Sequence, residues 1–365
     1  MITLAFVLAL TFLVSTGFTW ILASTKSRWS TLDHPVAHSI HRTPTPRTGG
    51  IAIITSVVLG VVTIAVLARF GLTDEAIRQG IATFADGTGH VILWLTFGLA
   101  TVSAVDDRYG LPPVLRLVVH IVVALGMIWA GLSLDHFSVP FVGTFSLGWW
   151  GRPLTVLFVV WMVNLYNFMD GLDGLAAGMA IFGFGVLAGV AWSAGAVDLA
   201  LFGLVIVAAT GGFLVSNFPP ARIFMGDVGS TSIGFLAAAF ALRASHDRVF
   251  DAWIPILAFS PFIADATLTL LSRALTGQRV FEPHQQHCYQ RLVLAGWSHR
   301  KTLLAECALM VGGGVAACFY GSSSLPVKVV ILSVVAVSYL ALTAAVRSVQ
   351  RRAAARTGPR GMPGA

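Results

Sequence analysis

Apolar residues in this chain run in long unbroken blocks rather than at the spacing of amphipathic helices or strands. Met1–Leu22, Ile51–Leu67 and Val327–Val346 each approach the roughly 20 residues that cross a bilayer as a helix. Eleven such blocks are predicted as spans, over about 2–23, 50–68, 90–106, 114–131, 153–168, 172–192, 197–216, 228–243, 252–274, 303–320 and 326–346. At about 20 residues each they occupy about 220 residues, which leaves no room for a large soluble domain. The predicted class is an all-α polytopic membrane protein with one integral-membrane domain over 1–346. The longest polar connections are 24–49, 69–89 and 275–302, and the basic, Gly/Pro-containing segment 347–365 reads as a disordered cytoplasmic tail.

Composition agrees with that pattern. Of 365 residues 56% are hydrophobic and 11% charged, against about 25% charged in soluble domains. The net charge of +7 would suggest nucleic acid in a soluble protein; here it reads as Lys and Arg held in cytoplasmic loops, with no nucleic-acid partner. The first block has no basic residue ahead of it and is followed by Lys26 and Arg28. It is expected to be a retained helix with its N-terminus outside, not a cleaved signal peptide. Alternating the spans from there puts 16 of the 23 Lys and Arg inside and 6 outside, with Arg116 opening a helix on the inner side. The C-terminus is then cytoplasmic. Cys288, Cys307 and Cys318 do not suggest a disulfide framework.

The acids sort differently. Asp33, Asp106, Asp107, Asp170, Asp173, Asp227 and Glu282 fall on the inner side, most beside Gly- or Pro-bounded turns. Distant segments thus bring carboxylates to one membrane face, which is a site hypothesis.

Five constellations carry it. Asp106-Asp107-Arg108 ends a predicted helix, where the dipole disfavours anions. The pair is either a solvated helix end partnered by Arg108 or a site that needs a cation or proton. In Asn164-Leu-Tyr-Asn167-Phe-Met-Asp170-Gly-Leu-Asp173-Gly174, a break at Gly171 and Gly174 would let all four polar side chains converge; ordinary turn residues are the alternative. Asn217-Phe-Pro-Pro-Ala-Arg222-Ile-Phe224-Met-Gly226-Asp227-Val-Gly-Ser230 leads into a helix N-terminus. There Asp227 is either an N-cap or a Mg²⁺ ligand, and Phe224 either an interfacial anchor or a surface for a base. The loop Arg279-Val-Phe-Glu282-Pro-His284-Gln-Gln-His287-Cys288-Tyr289-Gln290-Arg291 fits no usual zinc spacing. It reads as a topogenic basic loop or a phosphate-contacting one. In His38-Ser-Ile-His41-Arg42-Thr-Pro44-Thr-Pro46-Arg47, the two prolines fix where the arginines point. Asp265 and Glu306 are intramembrane acids without an obvious partner, and His120 reads as packing.

In this order the set resembles the polyprenyl-phosphate N-acetylhexosamine-1-phosphate transferases, glycosyltransferase family 4. The resemblance rests on PTPRTGG at 44–50, DD at 106–107, NLYNFMDGLDGLA at 164–176, NFPPARIFMGDVGS at 217–230 and the His loop at 284–291. It implies transfer of a sugar 1-phosphate from a UDP-N-acetylhexosamine to undecaprenyl phosphate at the inner face of a bacterial cytoplasmic membrane, with release of UMP. It also implies Mg²⁺, with Mn²⁺ as a substitute. By position it makes Asp106 and Asp107 the catalytic pair, where the lipid phosphate attacks, and Asp227 and Asn167 the metal site. Asn217, Phe224, Asp170, Asp173, Arg47, His284, His287, Arg279 and Arg291 would then bind the nucleotide sugar. HQQHCYQR looks like the branch that initiates O-antigen or other surface polysaccharides. The peptidoglycan branch, which transfers phospho-MurNAc-pentapeptide, is the alternative; it has an acid where Arg222 stands and three adjacent His. The alternative of another class is an ion-coupled transporter, for which midplane acids and internal repeats would be expected. These acids gather at one face, and no repeat is visible.

Overall fold

A computed structural model describes residues 2–24, 31–33, 44–279 and 284–357. Fourteen α-helices are present among them. They are α1 (Ile2–Leu22), α2 (Gly49–Arg69), α3 (Glu75–Asp86), α4 (Gly89–Tyr109), α5 (Pro113–Trp129), α6 (Gly151–Met169) and α7 (Leu175–Ser193). Then follow α8 (Val197–Asn217), α9 (Gly226–His246), α10 (Trp253–Ala258), α11 (Ser260–Leu275), α12 (Cys288–Leu294), α13 (His299–Ser322) and α14 (Leu325–Thr357). Two small antiparallel pairs accompany them, β1 (Leu32–Asp33) with β2 (Thr45–Pro46) and β3 (His136–Val139) with β4 (Gly143–Ser146).

Among the described residues nine helices are long and apolar enough to cross a membrane: α1, α2, α4, α6, α7, α8, α9, α13 and α14. The other two predicted spans differ. The 114–131 block is the 17-residue α5. The 252–274 block is broken at Phe259 into α10 and α11, because Pro261 offers no N–H and its ring excludes the carbonyl four residues back. Large side chains such as Trp94, Phe97, Val122, Val330 and Val337 stay exposed along the helices, as a hydrocarbon solvent requires.

Two connections carry structure that the apolar blocks did not announce. Within 69–89, α3 is a short amphipathic helix whose Ile77 and Phe84 are buried while Arg78 and Glu75 pair on its outer side. At the other end of the chain, α14 continues through Arg347 to Thr357, so residues 347–357 are helical rather than part of a disordered tail. The segments carrying Lys26, Arg28, His38, His41, Arg42, Glu282 and Arg360 lie outside the described residues.

The bundle is organised around α9, which is buried from Val228 to Ser245. Its Gly, Ser and Ala positions let neighbouring backbones approach closely. A Cβ on Gly234 would stand 2.6 Å from the Met162 carbonyl of α6. At its C-terminal end Arg243 is held by Asp247, by Asp198 at 3.5 Å and by Thr88 Oγ1 at 2.7 Å, since a cation at membrane depth needs partners. About 30 Å away along the axis, its N-terminal end meets the C-terminal ends of α4, α6 and α8. The start of α1 lies at the far face, where Thr3 bonds the Leu72 carbonyl beyond α2. The basic end of α14 lies at the near face, with Arg347 on Ser272 and Gln350 on Arg291.

Candidate active site

The first turn of α9 is where the distant motifs converge. The segment 44–50 lies along the irregular run before α9: Phe224 N–H donates to the Pro46 carbonyl at 2.7 Å, Gly49 N–H to the Phe224 carbonyl at 3.0 Å and Gly50 N–H to the Met225 carbonyl at 2.8 Å. No side chain fits between them. A Cβ on Gly50 would stand 2.1 Å from Gly229 N, and one on Gly226, whose φ is +69°, would stand 2.1 Å from the Arg47 carbonyl. Small residues here are what bring PTPRTGG onto the Gly-Asp turn.

Asp107, at the end of α4, accepts the Asp227 N–H at 3.2 Å and the Val228 N–H at 3.3 Å. Arg47 Nε stands 3.4 Å from the same carboxylate and its guanidinium also bonds the Asp107 carbonyl. The unfavourable dipole at the end of α4 is thus offset by the N-terminus of α9 and by Arg47. Arg108 does not serve; it lies over the Tyr109 ring. Asp106 turns the other way, accepting the Leu111 N–H at 2.6 Å, with Arg116 Nη1 at 3.5 Å. Arg116 also stands 3.9 Å from Asp227 and so links the two carboxylates.

Asn167 donates to Asp227 Oδ1 at 3.0 Å and approaches Ser230 Oγ at 3.3 Å. The helix break after Met169 brings Asp170 and Asp173 to the same pocket, but Asn164 does not join them. Still on the regular helix, Asn164 bonds its own Val160 carbonyl at 2.7 Å and faces His120 at 3.2 Å. Enclosure of Asp170, together with the nearby Asp227 and Asp107 carboxylates, pushes its pKa well above the ordinary carboxylate range.

A cavity of about 250 Å³ opens over these groups, lined by Arg47, Asp107, Asn167, Asp170, Asp173, Asn217, Phe224 and Asp227 among others. Eight of the expected site residues therefore share one wall system. Two of them are committed to holding it together. Asn217 accepts the Gly174 N–H at 2.9 Å and donates to the Ile223 carbonyl at 2.8 Å, joining the second motif to the third. Asp173 Oδ2 accepts the Ala221 N–H at 3.1 Å and lies 3.3 Å from His299 Nδ1.

The 279–291 loop is placed otherwise. Arg279, His284, His287 and Arg291 do not line the cavity; Gln290 does. His287 is buried 3.5 Å from Asp265. Arg291 bonds the Gln286 carbonyl at 2.6 Å and Gln350 at 2.7 Å. Burial, His287 and Arg273 lower His284 to about 4, so it is neutral at pH 7 and adds no charge for a diphosphate. Arg279 is exposed.

Arg116, Gln290 and His299 were not singled out as site residues from the chain. Arg116 carries a signal in the chain, since it follows the Asp pair across a Pro-Pro turn and opens a helix on the inner side. His299 had none, because 126 positions separate it from Asp173. Among the described residues no three His, Cys, Asp or Glu side chains are grouped so as to hold a metal ion by themselves.

Known proteins resemble this chain. Residues 90–245 match the family described as "Glycosyl transferase family 4". A Bacillus subtilis (strain 168) protein named "Probable undecaprenyl-phosphate N-acetylglucosaminyl 1-phosphate transferase" is 36% identical over 276 residues, covering 75% of this chain and 72% of that protein. The chain belongs to the polyprenyl-phosphate N-acetylhexosamine-1-phosphate transferase family. Two other transferases of similar sequence bracket its range. The "Decaprenyl-phosphate N-acetylglucosaminephosphotransferase" of Mycobacterium tuberculosis (strain ATCC 25618 / H37Rv) is 31% identical over 76% of this chain and 72% of its own length. The "Phospho-N-acetylmuramoyl-pentapeptide-transferase" of Shouchella clausii (strain KSM-K16) is 32% identical over 83% of this chain and 92% of its own length. The matched stretch 90–245 carries Asp107, Asn167, Asp170, Asp173, Asn217, Phe224 and Asp227, all of which line the cavity.

Proposed function

We propose that this transferase moves an N-acetylhexosamine 1-phosphate from a UDP-sugar to undecaprenyl phosphate, giving undecaprenyl-diphospho-sugar and UMP. In this reading it works at the cytoplasmic face of a bacterial inner membrane, as the first membrane step of O-antigen or surface-polysaccharide synthesis. The observation that carries the chemistry is Asp107 and Asp227 set side by side at the N-terminus of α9, flanked by Asn167 and Arg47. The 16-to-6 division of basic residues supports a cytoplasmic placement of this face, with the N-terminus outside and the C-terminus inside.

The cavity is lined by Asp33, Asp107, Asp170, Asp173 and Asp227 against Arg47 and His299. Such a wall repels a diphosphate unless a cation joins it. Mg²⁺ usually takes one or two carboxylates and completes its shell with substrate phosphates and water. The adjacent Asp227 and Asn167 offer oxygen donors of the kind that demand calls for. Asp227 would hold the ion, with Asn167, whose carbonyl oxygen is left free by its Nδ2 bond to Asp227. Bound there, the ion would neutralise charge on the diphosphate and on the departing UMP.

The chain's own groups orient the reactants. Arg47 attracts phosphate oxygens, while Phe224 offers a face to uracil. The lipid phosphate is already anionic near pH 7, so its oxygen attacks the β-phosphorus of the donor without a strong base. The new P–O bond forms as the bond to UMP breaks, and UMP leaves with that electron pair. Both oxygens of Asp107 and of Asp106 are engaged by N–H groups or arginines, which supports direct attack by the lipid over a phospho-enzyme. A phosphate trapped on either aspartate would overturn the direct route.

The test is a donor panel in detergent with undecaprenyl phosphate: UDP-GlcNAc, UDP-GalNAc, deoxy-HexNAc donors and UDP-MurNAc-pentapeptide. UMP release that EDTA stops and Mg²⁺ restores is expected with a UDP-HexNAc. Release from the pentapeptide donor alone would favour the peptidoglycan branch, and no release from any donor would sink the proposal. Phe224→Ala is expected to raise the donor KM about tenfold with a smaller change in kcat, since stacking on a base is worth roughly 1–3 kcal/mol. An unchanged KM would remove Phe224 from the nucleotide site.

A further inference from the structure

Asp265 on α11 lies outside the cavity, yet it is 8% exposed and heavily engaged. Both of its oxygens stand 2.9 Å from the Cys288 N–H, Thr269 donates to it at 3.1 Å, and His287 Nδ1 is 3.5 Å away. A buried carboxylate persists only where contacts offset its desolvation. Two of these partners, His287 and Cys288, are the residues that open α12. That helix has seven residues, too few to hold its own position.

The next two residues of α12 reach the active site. Tyr289 is fully buried and donates its hydroxyl to the Phe168 carbonyl at 3.2 Å, between Asn167 and Asp170 in the chain. It presses on Gly171, where a Cβ would stand 2.3 Å from that hydroxyl. Gln290 lines the cavity itself. A continuous set of contacts thus runs from Asp265 through the start of α12 to the turn that presents Asp170 and Asp173.

We propose that Asp265 is a positioning residue for the donor site: it clamps the start of α12 so that Tyr289 and Gln290 form the wall of the cavity. The effect on substrate rests on the transferase reading above, whereas the clamp itself does not. The chain supplies a reporter for the clamp, because Cys288 is 7% exposed and its N–H is the clamped group. In a Cys307→Ser/Cys318→Ser background Cys288 is the single thiol.

Asp265→Ala in that background is expected to speed alkylation of Cys288 by N-ethylmaleimide about tenfold, as local opening of α12 becomes easier. It should also raise the donor KM about fivefold, the scale of one lost hydrogen bond. Asp265→Asn, which keeps one acceptor oxygen, should fall between. A merely structural role would lower the yield of folded enzyme, and with it apparent kcat, at constant KM. That result overturns the proposal, as does faster alkylation with KM unchanged or no change in either. Should Asp265→Ala not fold, Tyr289→Phe decides, since it removes only the contact to Phe168; the same rise in KM supports the clamp and an unchanged KM overturns it. If no donor is turned over at all, the alkylation rates still test the clamp, so its failure and that of the transferase reading are told apart.

Discussion

Asp227→Asn is expected to lower kcat by about 10³-fold, the scale of losing one preorganised charge-stabilising group in a phosphoryl- or acyl-transfer site. The substitution is isosteric. Asn167 can still donate to the Oδ1 position at 3.0 Å, and the Asp107 bond is made to the backbone N–H of residue 227, not to its side chain. The fold of the α9 turn is therefore kept while its charge is lost. The protein should purify at normal yield and melt at an unaltered temperature, and its residual turnover should need a higher Mg²⁺ concentration. Near-normal turnover with an unshifted Mg²⁺ dependence would take Asp227 out of the metal site and leave the acidic wall without its central member.

Gly50→Ala is expected to damage both stability and turnover. The new Cβ would stand 2.1 Å from Gly229 N and 2.5 Å from Gly229 Cα. Both are backbone atoms of a buried helix, so no side chain can swing aside. The start of α2 and the first turn of α9 must separate, and the Gly50–Met225 bond at 2.8 Å is strained with them. Overpacking of this kind costs about 1–3 kcal/mol. The larger consequence is catalytic, because the N–H groups of Asp227 and Val228 that hold Asp107 sit on that turn. A shift of about 1 Å in a reacting geometry costs about 10²-fold. Thermal unfolding in detergent and kcat measured together check both halves, and a variant with wild-type values in each would show that the two helices do not rely on this contact.

Much of this was legible along the chain. The apolar blocks predicted the spans, and nine of the eleven are single helices of the expected kind. The clustering of acids beside Gly and Pro turns predicted that separate segments meet at one face, and Asp107, Asp170, Asp173 and Asp227 do line one cavity. What misled was local reasoning about partners. Arg108 is adjacent to Asp106 and Asp107 in sequence, yet the helix carries its side chain away from them, and Arg47 and Arg116 arrive instead. Asn164 fits the Asn-Asp run by spacing, but the helix breaks only after Met169, so Asn164 stays on the regular helix and meets His120. The basic residues of 279–291 suggested a phosphate-binding loop, whereas His287 and Arg291 hold α12 to α11 and α14.

The sequence by itself determined the class of the protein, nine of its long apolar helices and the face on which its chemistry gathers. Those follow from hydropathy and charge, whose transfer costs depend on residue type alone. Only the tertiary structure decided which carboxylate faces the cavity and which supports it, which arginine answers each, and that Asp265 serves α12. Those depend on helix rotation and on backbone contacts such as Gly50 against Gly229, where segments more than a hundred positions apart in the chain pack with no room for a side chain.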